Sequence, residues 1–271
     1  MNATSIAVSF DKVSCSFGGT GKSAPVYHAV RDVTLEIGEG EFVSVVGPTG
    51  CGKSTVLNMA AGLMRPSSGR IAVFGEPLTR LNRKAGYLFQ ADSLLPWYTA
   101  LQNVLLGLEF QSLGRKEATE RATDWLSRVG LSAHGHRYPH QMSGGMRKRV
   151  ALAQMLVLNP QIMLMDEPFS ALDVQTRILM ENELLELWSA NRKSVIFVTH
   201  DLEEAISLSD RVVVLSAGPA SHPIAQFKID LPRPRDIAEI RLNPRFLEIH
   251  REIWETLKTE VLKGYAQTKY L

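Results

Sequence analysis

Lys53, Ser54 and Thr55 close a glycine-rich run, "GPTGCGKST", that follows the apolar stretch "EFVSVV" and opens an apolar, helix-forming segment. A turn with little side-chain bulk aims several backbone N–H groups at one point, and the following helix adds the positive end of its dipole. Anions collect at such a point. Lys53 can reach the β- and γ-phosphates of a nucleotide as a point charge, Ser54 is placed to ligate Mg²⁺ through its hydroxyl, and Thr55 can add an α-phosphate contact. Gly47, Pro48, Thr49, Gly50, Cys51 and Gly52 form the cradle itself. Inside it, near a helix N-terminus, the Cys51 thiol is expected to be more acidic than usual and reactive.

A second group of residues bears on what is done with the phosphate. "IMLMDEP" ends an apolar strand on Asp166, where a carboxylate can hold a magnesium-bound water beside Ser54. Glu167 is adjacent on an extended strand end, so the two acids should point differently, one serving the metal and the other polarising an attacking water. "MSGGMRKR" sets Ser143, Gly144 and Gly145 before another helix, a second anion-binding N-terminus for which a single chain has no evident use.

These residues need a frame. "EFVSVVG", "QIMLMDEP", "SVIFVTH" and "RVVVLS" are nearly continuous apolar runs, as expected of parallel strands covered on both faces. Helical segments between them imply a doubly wound α/β core that binds ligands at the carboxyl ends of its strands. Residues 6–13 and 28–37 alternate apolar with polar, which predicts an N-terminal half-exposed antiparallel sheet interrupted by the flexible "GGTGKSAP". From about 92 to 160 the pattern becomes helical, with Ala118, Ala122, Trp125, Leu126 and Val129 on one face of one segment, so a helical subdomain is inserted there. After the proline-punctuated "DLPRPR" at 230–235, a tail over 236–271 carries an amphipathic helix with Phe246, Ile249, Ile253, Trp254 and Leu257, expected to pack on its own core.

Composition narrows the class. The 271 residues are 45% hydrophobic, ample for a core, and the formal charge is +2 with both signs interspersed, so no footprint for nucleic acid is expected. Two cysteines, Cys15 and Cys51, lack the spacing of a disulfide framework or a zinc site, which fits a reducing compartment. No run of about 18 apolar residues and no basic-then-apolar leader occurs, so a membrane role is expected to come through a partner.

With "MSGGMRKR" at this distance before a strand ending in Asp-Glu, the chain resembles the ATP-binding cassette (ABC) ATPases from residue 5 to about 235. Gln90, ending "KAGYLFQ", matches the family's Q-loop, "SALD" at 170–173 its D-loop, which ends on Asp173, and His200 in "FVTHD" its switch histidine. The resemblance implies a P-loop NTPase core over 1–235 and two cassettes paired head to tail, with ATP between the phosphate loop of one and the signature of the other. Lys53, Ser54 and Thr55 would then bind phosphate and Mg²⁺, with Gln90 and Asp166 completing the metal site, Glu167 as general base and His200 steadying the γ-phosphate. Ser143 and Gly145 would contact the γ-phosphate bound to the second copy. The adenine-stacking aromatic matches Phe17 best, with Tyr27 as a possible substitute. Met146 and Lys148 stand where relatives often have glutamine, which implies altered contacts rather than lost catalysis.

Beyond the ATPase, "ADSLLPWYTALQNVLLGLE", "LMDEPFSALDVQTR" and "FVTHDLEEAISLSDRVVVLS" resemble the nitrate, sulfonate and taurine importer branch. That likeness implies a subunit peripheral to the cytoplasmic face of the inner membrane, working with transmembrane permease subunits and indirectly with a solute-binding protein. Leu94, Leu95, Pro96 and Trp97 are the candidates for permease contact. The alternative is a soluble cassette ATPase acting on nucleic acid, ribosomes or cofactor assembly, a group that commonly carries two cassettes or long coiled-coil insertions, neither found here.

Overall fold

The computed structural model describes residues 5–18, 26–109, 111 and 113–268. Residues 19–25 of the expected flexible connector therefore lie outside the described residues. The chain begins with a long antiparallel pair, β1 (Ile6–Phe17) and β2 (Tyr27–Gly38), the first running four residues past the expected stretch and the second one residue beyond it at each end. Then follow β3 (Phe42–Val46), α1 (Lys53–Ala60), β4 (Ser68–Val73), β5 (Glu76–Pro77) and β6 (Ala85–Leu88). Helices α2 (Ala100–Leu106), α3 (Arg115–Arg128) and α4 (Gly144–Leu156) come next. The chain returns through β7 (Ile162–Asp166), α5 (Val174–Asn191), β8 (Ser194–Val198), α6 (Leu202–Leu208), β9 (Arg211–Leu215) and β10 (Pro223–Lys228). It closes with α7 (Ile237–Ile240) and α8 (Pro244–Thr268).

Two sheets result. One is antiparallel, in the order β2-β1-β4-β5, and the other runs β10-β9-β3-β8-β7-β6, parallel except for β10. Successive side chains of a strand face opposite ways. Val43, Val45, Ile162, Leu164, Ile196 and Val198 therefore share one core with α1 and the antiparallel sheet. Phe42, Met163, Met165, Val195 and Phe197 point to the other side, against α4 and α5. Both faces of the central strands are thus covered, which is why their sequences read as unbroken apolar runs. Each of these side chains contributes about 1.5–3 kcal/mol by leaving water.

The helical subdomain has its own core, where Val104 of α2, Ala122 and Leu126 of α3 and Val150 of α4 meet. Thr99 caps α2 through a reciprocal box with Gln102, fixing where that helix begins. At the other end of the chain, Phe246, Ile249, Ile253 and Leu257 of α8 are buried against α6 and β9. Trp254 is a correction to the expected buried face: it is 42% exposed, because it follows Ile253 by 100° around the helix and turns toward solvent. Among the described residues no helix is long and apolar enough to cross a membrane.

Candidate functional site

Gln90, Asp166, Glu167 and His200 each lie within two residues of the carboxyl end of β6, β7 or β8, and the phosphate loop begins with Gly47 directly after β3 and runs into α1 at Lys53. Gly52 caps α1 at φ +90°, and a Cβ there would sit 2.6 Å from Val30 Cγ1, so only glycine brings the loop this close to β2. Lys53 donates from Nζ to the carbonyls of Gly47 (2.9 Å) and Pro48 (3.1 Å), which stations its ammonium on the loop. Thr49, Gly50, Gly52, Lys53, Ser54 and Thr55 line a cleft of about 510 Å³. The Cys51 side chain turns the other way. It is fully buried, and burial raises its thiol above the ordinary value despite the nearby Lys53, so the expectation of an acidic, reactive thiol is overturned.

Asp166 ends β7 and its Oδ1 accepts from the Ser54 hydroxyl at 3.1 Å. Burial pushes the Asp166 carboxyl up, against the opposing pull of that hydrogen bond. Glu167 does not continue the strand as expected. At φ +42° it takes a left-handed turn, fixed by its N–H donating to Val198 O (2.8 Å) and its carbonyl accepting from the Ser170 hydroxyl (3.0 Å). The turn separates the two carboxylates. Oε2 of Glu167 lies 3.0 Å from His200 Nδ1 and accepts from the Gln90 amide at 3.4 Å, so three strand ends converge on one oxygen.

Phe17 and Tyr27 both line the same cleft, 41% and 49% exposed, and stand opposite each other in the β1–β2 register. Either ring can meet a flat heterocycle there. Ser143, Gly144, Gly145 and Asp173 do not line this cleft. Ser143 caps α4 by accepting from Met146 N at 3.3 Å, and Asp173 caps α5 with its carboxylate bound to Thr176 N (3.0 Å) and the Thr176 hydroxyl (2.7 Å). The N-terminus of α4 thus lies outside this cleft's lining.

Three contributions could not be read from the sequence. Lys148, from α4, is 3% exposed and donates to the carbonyls of Phe89 (3.2 Å) and Gln90 (2.6 Å), with Asp92 at 3.5 Å. It holds the backbone at Phe89 and Gln90 by charge-assisted hydrogen bonds. Arg177, from α5, joins Asp201 (3.0 Å) to the Leu172 carbonyl (3.3 Å). Beside it Glu204 accepts from Thr199 at 2.6 Å, and buried Glu181 pairs with Arg241 at 3.1 Å. Burial and neighbouring acids raise Glu204 to about 6 and Glu181 to about 8. The third is the segment after β9, where the Ser221 hydroxyl donates to the Cys51 carbonyl.

Oxygens of Ser54 and Asp166 lie close enough to share a hard cation, and Mg²⁺ bound to phosphate and water needs only one or two protein ligands. Among the described residues no three His, Cys, Asp or Glu side chains converge as a metal cage. Residues 30–170 match the ABC transporter family. An uncharacterized ABC transporter ATP-binding protein of Methanocaldococcus jannaschii is 46% identical over 87% of this chain and 86% of its own length. The taurine import ATP-binding protein TauB of Rhizobium johnstonii is 42% identical over 88% and 93%. A solved dimeric ATP-binding cassette in a post-hydrolysis state, bound to ADP and Pi, superposes with a TM-score of 0.73 at 33% identity, covering 83% of this chain and 100% of that one.

Proposed function

The chain belongs to the ABC transporter family, and from that premise we propose that it is the ATPase subunit of a membrane importer for a small solute, an anion such as taurine, another sulfonate or nitrate. It is an ATP-hydrolysing enzyme. The phosphate loop binds the triphosphate through backbone N–H groups and Lys53, and Phe17 stacks on adenine. Ser54, Asp166 and Gln90 would hold Mg²⁺, which when bound neutralises charge on the phosphates. Glu167 takes the proton of the attacking water, oriented for it by His200 and Gln90, whose side chains meet its carboxylate. Donors fixed before the reaction stabilise charge as it spreads over the transferred phosphoryl oxygens.

A second copy completes the site. Ser143 and Gly145 head a helix that does not line the chain's own cleft, and such an N-terminus meets the γ-phosphate when two copies face each other head to tail.

The observation that carries the importer reading lies just past Gln90. Buried Asn103 accepts from Leu95 N (2.8 Å) and donates to the carbonyls of Leu95, Tyr98 and Thr99, so the 95–99 loop is held from inside. Leu94 is tucked between the helical core and the sheet core, while Trp97 projects at 66% exposure. A loop held from inside and presenting an exposed aromatic seven residues after Gln90 fits an interface anchor, where Trp is enriched.

The test is an affinity pull-down of the tagged Glu167→Gln chain, with ATP, from its own detergent-solubilised membranes. Recovery of a multi-span membrane protein, lost on adding Trp97→Ala, is expected. Recovery of ribosomes, nucleic acid or soluble proteins alone would overturn the importer reading and leave the ATPase intact.

A further inference from the structure

The phosphate loop is braced from outside the catalytic constellation by two segments that the ATPase chemistry does not use. The first is the stretch Ala217–Ser221, between β9 and β10. Ser221 is fully buried, its hydroxyl donates to the carbonyl of Cys51, and its N–H donates to the Ala29 carbonyl of β2 at 3.2 Å. Gly218 lies against the loop so closely that a Cβ there would be 3.2 Å from the Gly50 carbonyl oxygen and 3.6 Å from Cys51 Cα. Ala220 N donates to the His28 carbonyl at 2.6 Å. This saddle therefore ties the back of the phosphate loop to the strand that carries Tyr27.

The second segment is the far end of α8. Glu260 is 6% exposed, and its Oε2 accepts from the backbone N–H of Ala217 at 2.7 Å while Oε1 accepts from Lys263 Nζ at 2.6 Å. Burial alone would raise this carboxyl, yet the hydrogen bonds from Lys263 and Ala217 hold it below the usual range, the sign of a carboxylate bound in its charged form. One turn further on, a Cβ built on Gly264 would lie 3.7 Å from Pro48 Cβ, so the helix flanks the loop itself. Four buried apolar residues, Phe246, Ile249, Ile253 and Leu257, anchor the preceding turns to the core and fix where Glu260 arrives.

We propose that Glu260 and Ser221 are positioning residues for nucleotide binding, through which the C-terminal helix sets the shape of the phosphate loop. The chain of contact is short: Glu260 holds Ala217, Ala217 places Gly218 against Gly50, and Ser221 fixes the Cys51 carbonyl. A cradle that binds phosphate by backbone N–H groups depends on the orientation of each peptide, and Gly50 and Cys51 sit in its middle. Glu167, Gln90 and His200 stand on other strand ends and touch none of these residues. Displacing α8 therefore weakens ATP binding without changing the hydrolytic groups, and a partner that engages this helix would set the affinity for ATP.

The inference rests on the assignment of the nucleotide site, and the experiment separates the two. Binding of a fluorescent ATP analogue and steady-state hydrolysis are measured for wild type, Glu260→Ala, Glu260→Gln, Ser221→Ala and Lys53→Ala. Glu260→Ala and Ser221→Ala are each expected to raise Kd and KM about three- to tenfold with kcat within about twofold, the pattern of lost uniform binding. Glu260→Gln keeps an acceptor for Ala217 N and should recover most of the affinity. A purely structural role would instead lower the active fraction and Tm, leaving KM where it was. If Glu260→Ala and Ser221→Ala bind as wild type does, or the Gln variant is as impaired as Ala, the positioning role fails while the site stands. If Lys53→Ala binds as tightly as wild type, the site assignment fails first.

Discussion

His200 Nδ1 lies 3.0 Å from Oε2 of Glu167, the oxygen that also accepts from the Gln90 amide. Histidine and carboxylate reach each other from the ends of adjacent parallel strands, β8 and β7, so the sheet itself sets their separation. A carboxylate held by two neighbours has one orientation available for taking a proton. Glu167→Gln keeps the shape and removes the base. Hydrolysis is expected to fall by about 10²- to 10⁴-fold with ATP affinity retained, and ATP should drive the variant into a dimer on size exclusion. Turnover at the wild-type rate would remove Glu167 from the role of base.

Stacking on adenine is tested by the aromatic pair at the cleft mouth. Phe17→Ala should raise KM for ATP about tenfold, in line with about 1–3 kcal/mol for a base on an aromatic ring, and Tyr27→Ala by less. Both rings line the cleft, so the opposite ranking would transfer the role to Tyr27.

Thiol reactivity distinguishes an inward-facing Cys51 from one that faces phosphate. Cys15 and Cys51 are 2% and 0% exposed, and burial raises both thiols. Titration of the native protein with an aromatic disulfide should label neither within minutes, and unfolding in urea should release two fast equivalents. Rapid labelling of Cys51 that ATP prevents would restore the acidic thiol expected from its place in the loop.

Stability should depend on pH through the buried acids Glu204 and Glu181, the first of them close to His200. Glu181 rises from the ordinary 4.5 to about 8 on folding, chiefly by burial, and Glu204 rises to about 6. Between the unfolded and folded values the native chain holds protons that the unfolded chain releases, so stability falls as pH rises through about 5 to 8. Glu181→Gln keeps a polar side chain beside Arg241, which retains Glu203 at 3.0 Å. The variant should be more stable than wild type at pH 8, by on the order of 1–3 kcal/mol, and similar at pH 5. Parallel urea midpoints for the two proteins across this range would contradict the assignment.

Asp166, Glu167 and His200 were legible because each stands where an unbroken apolar run stops, and such runs are what a strand covered on both faces must look like. Phe17 and Tyr27 could not be separated for a physical reason: they are cross-strand neighbours, so both reach the same space. Cys51 was misjudged because glycine-rich spacing locates a loop without saying which way each side chain turns. Lys148 and Ser221 act through contacts 58 and 170 residues away in sequence, on backbone carbonyls that any residue supplies. No pattern of side-chain types encodes such partners.

Glu167 holds its left-handed turn at φ +42° against the preference of every residue with a Cβ except, in part, Asn and Asp. Such a backbone is destabilising by about 1–3 kcal/mol, a burden the surrounding fold carries. Glycine at this position would relieve it and leave a protein that melts later and lacks the proposed base. If Glu167 is that base, the acid is held in place by selection for turnover alone, and a lineage bred only for thermal endurance would be free to discard it.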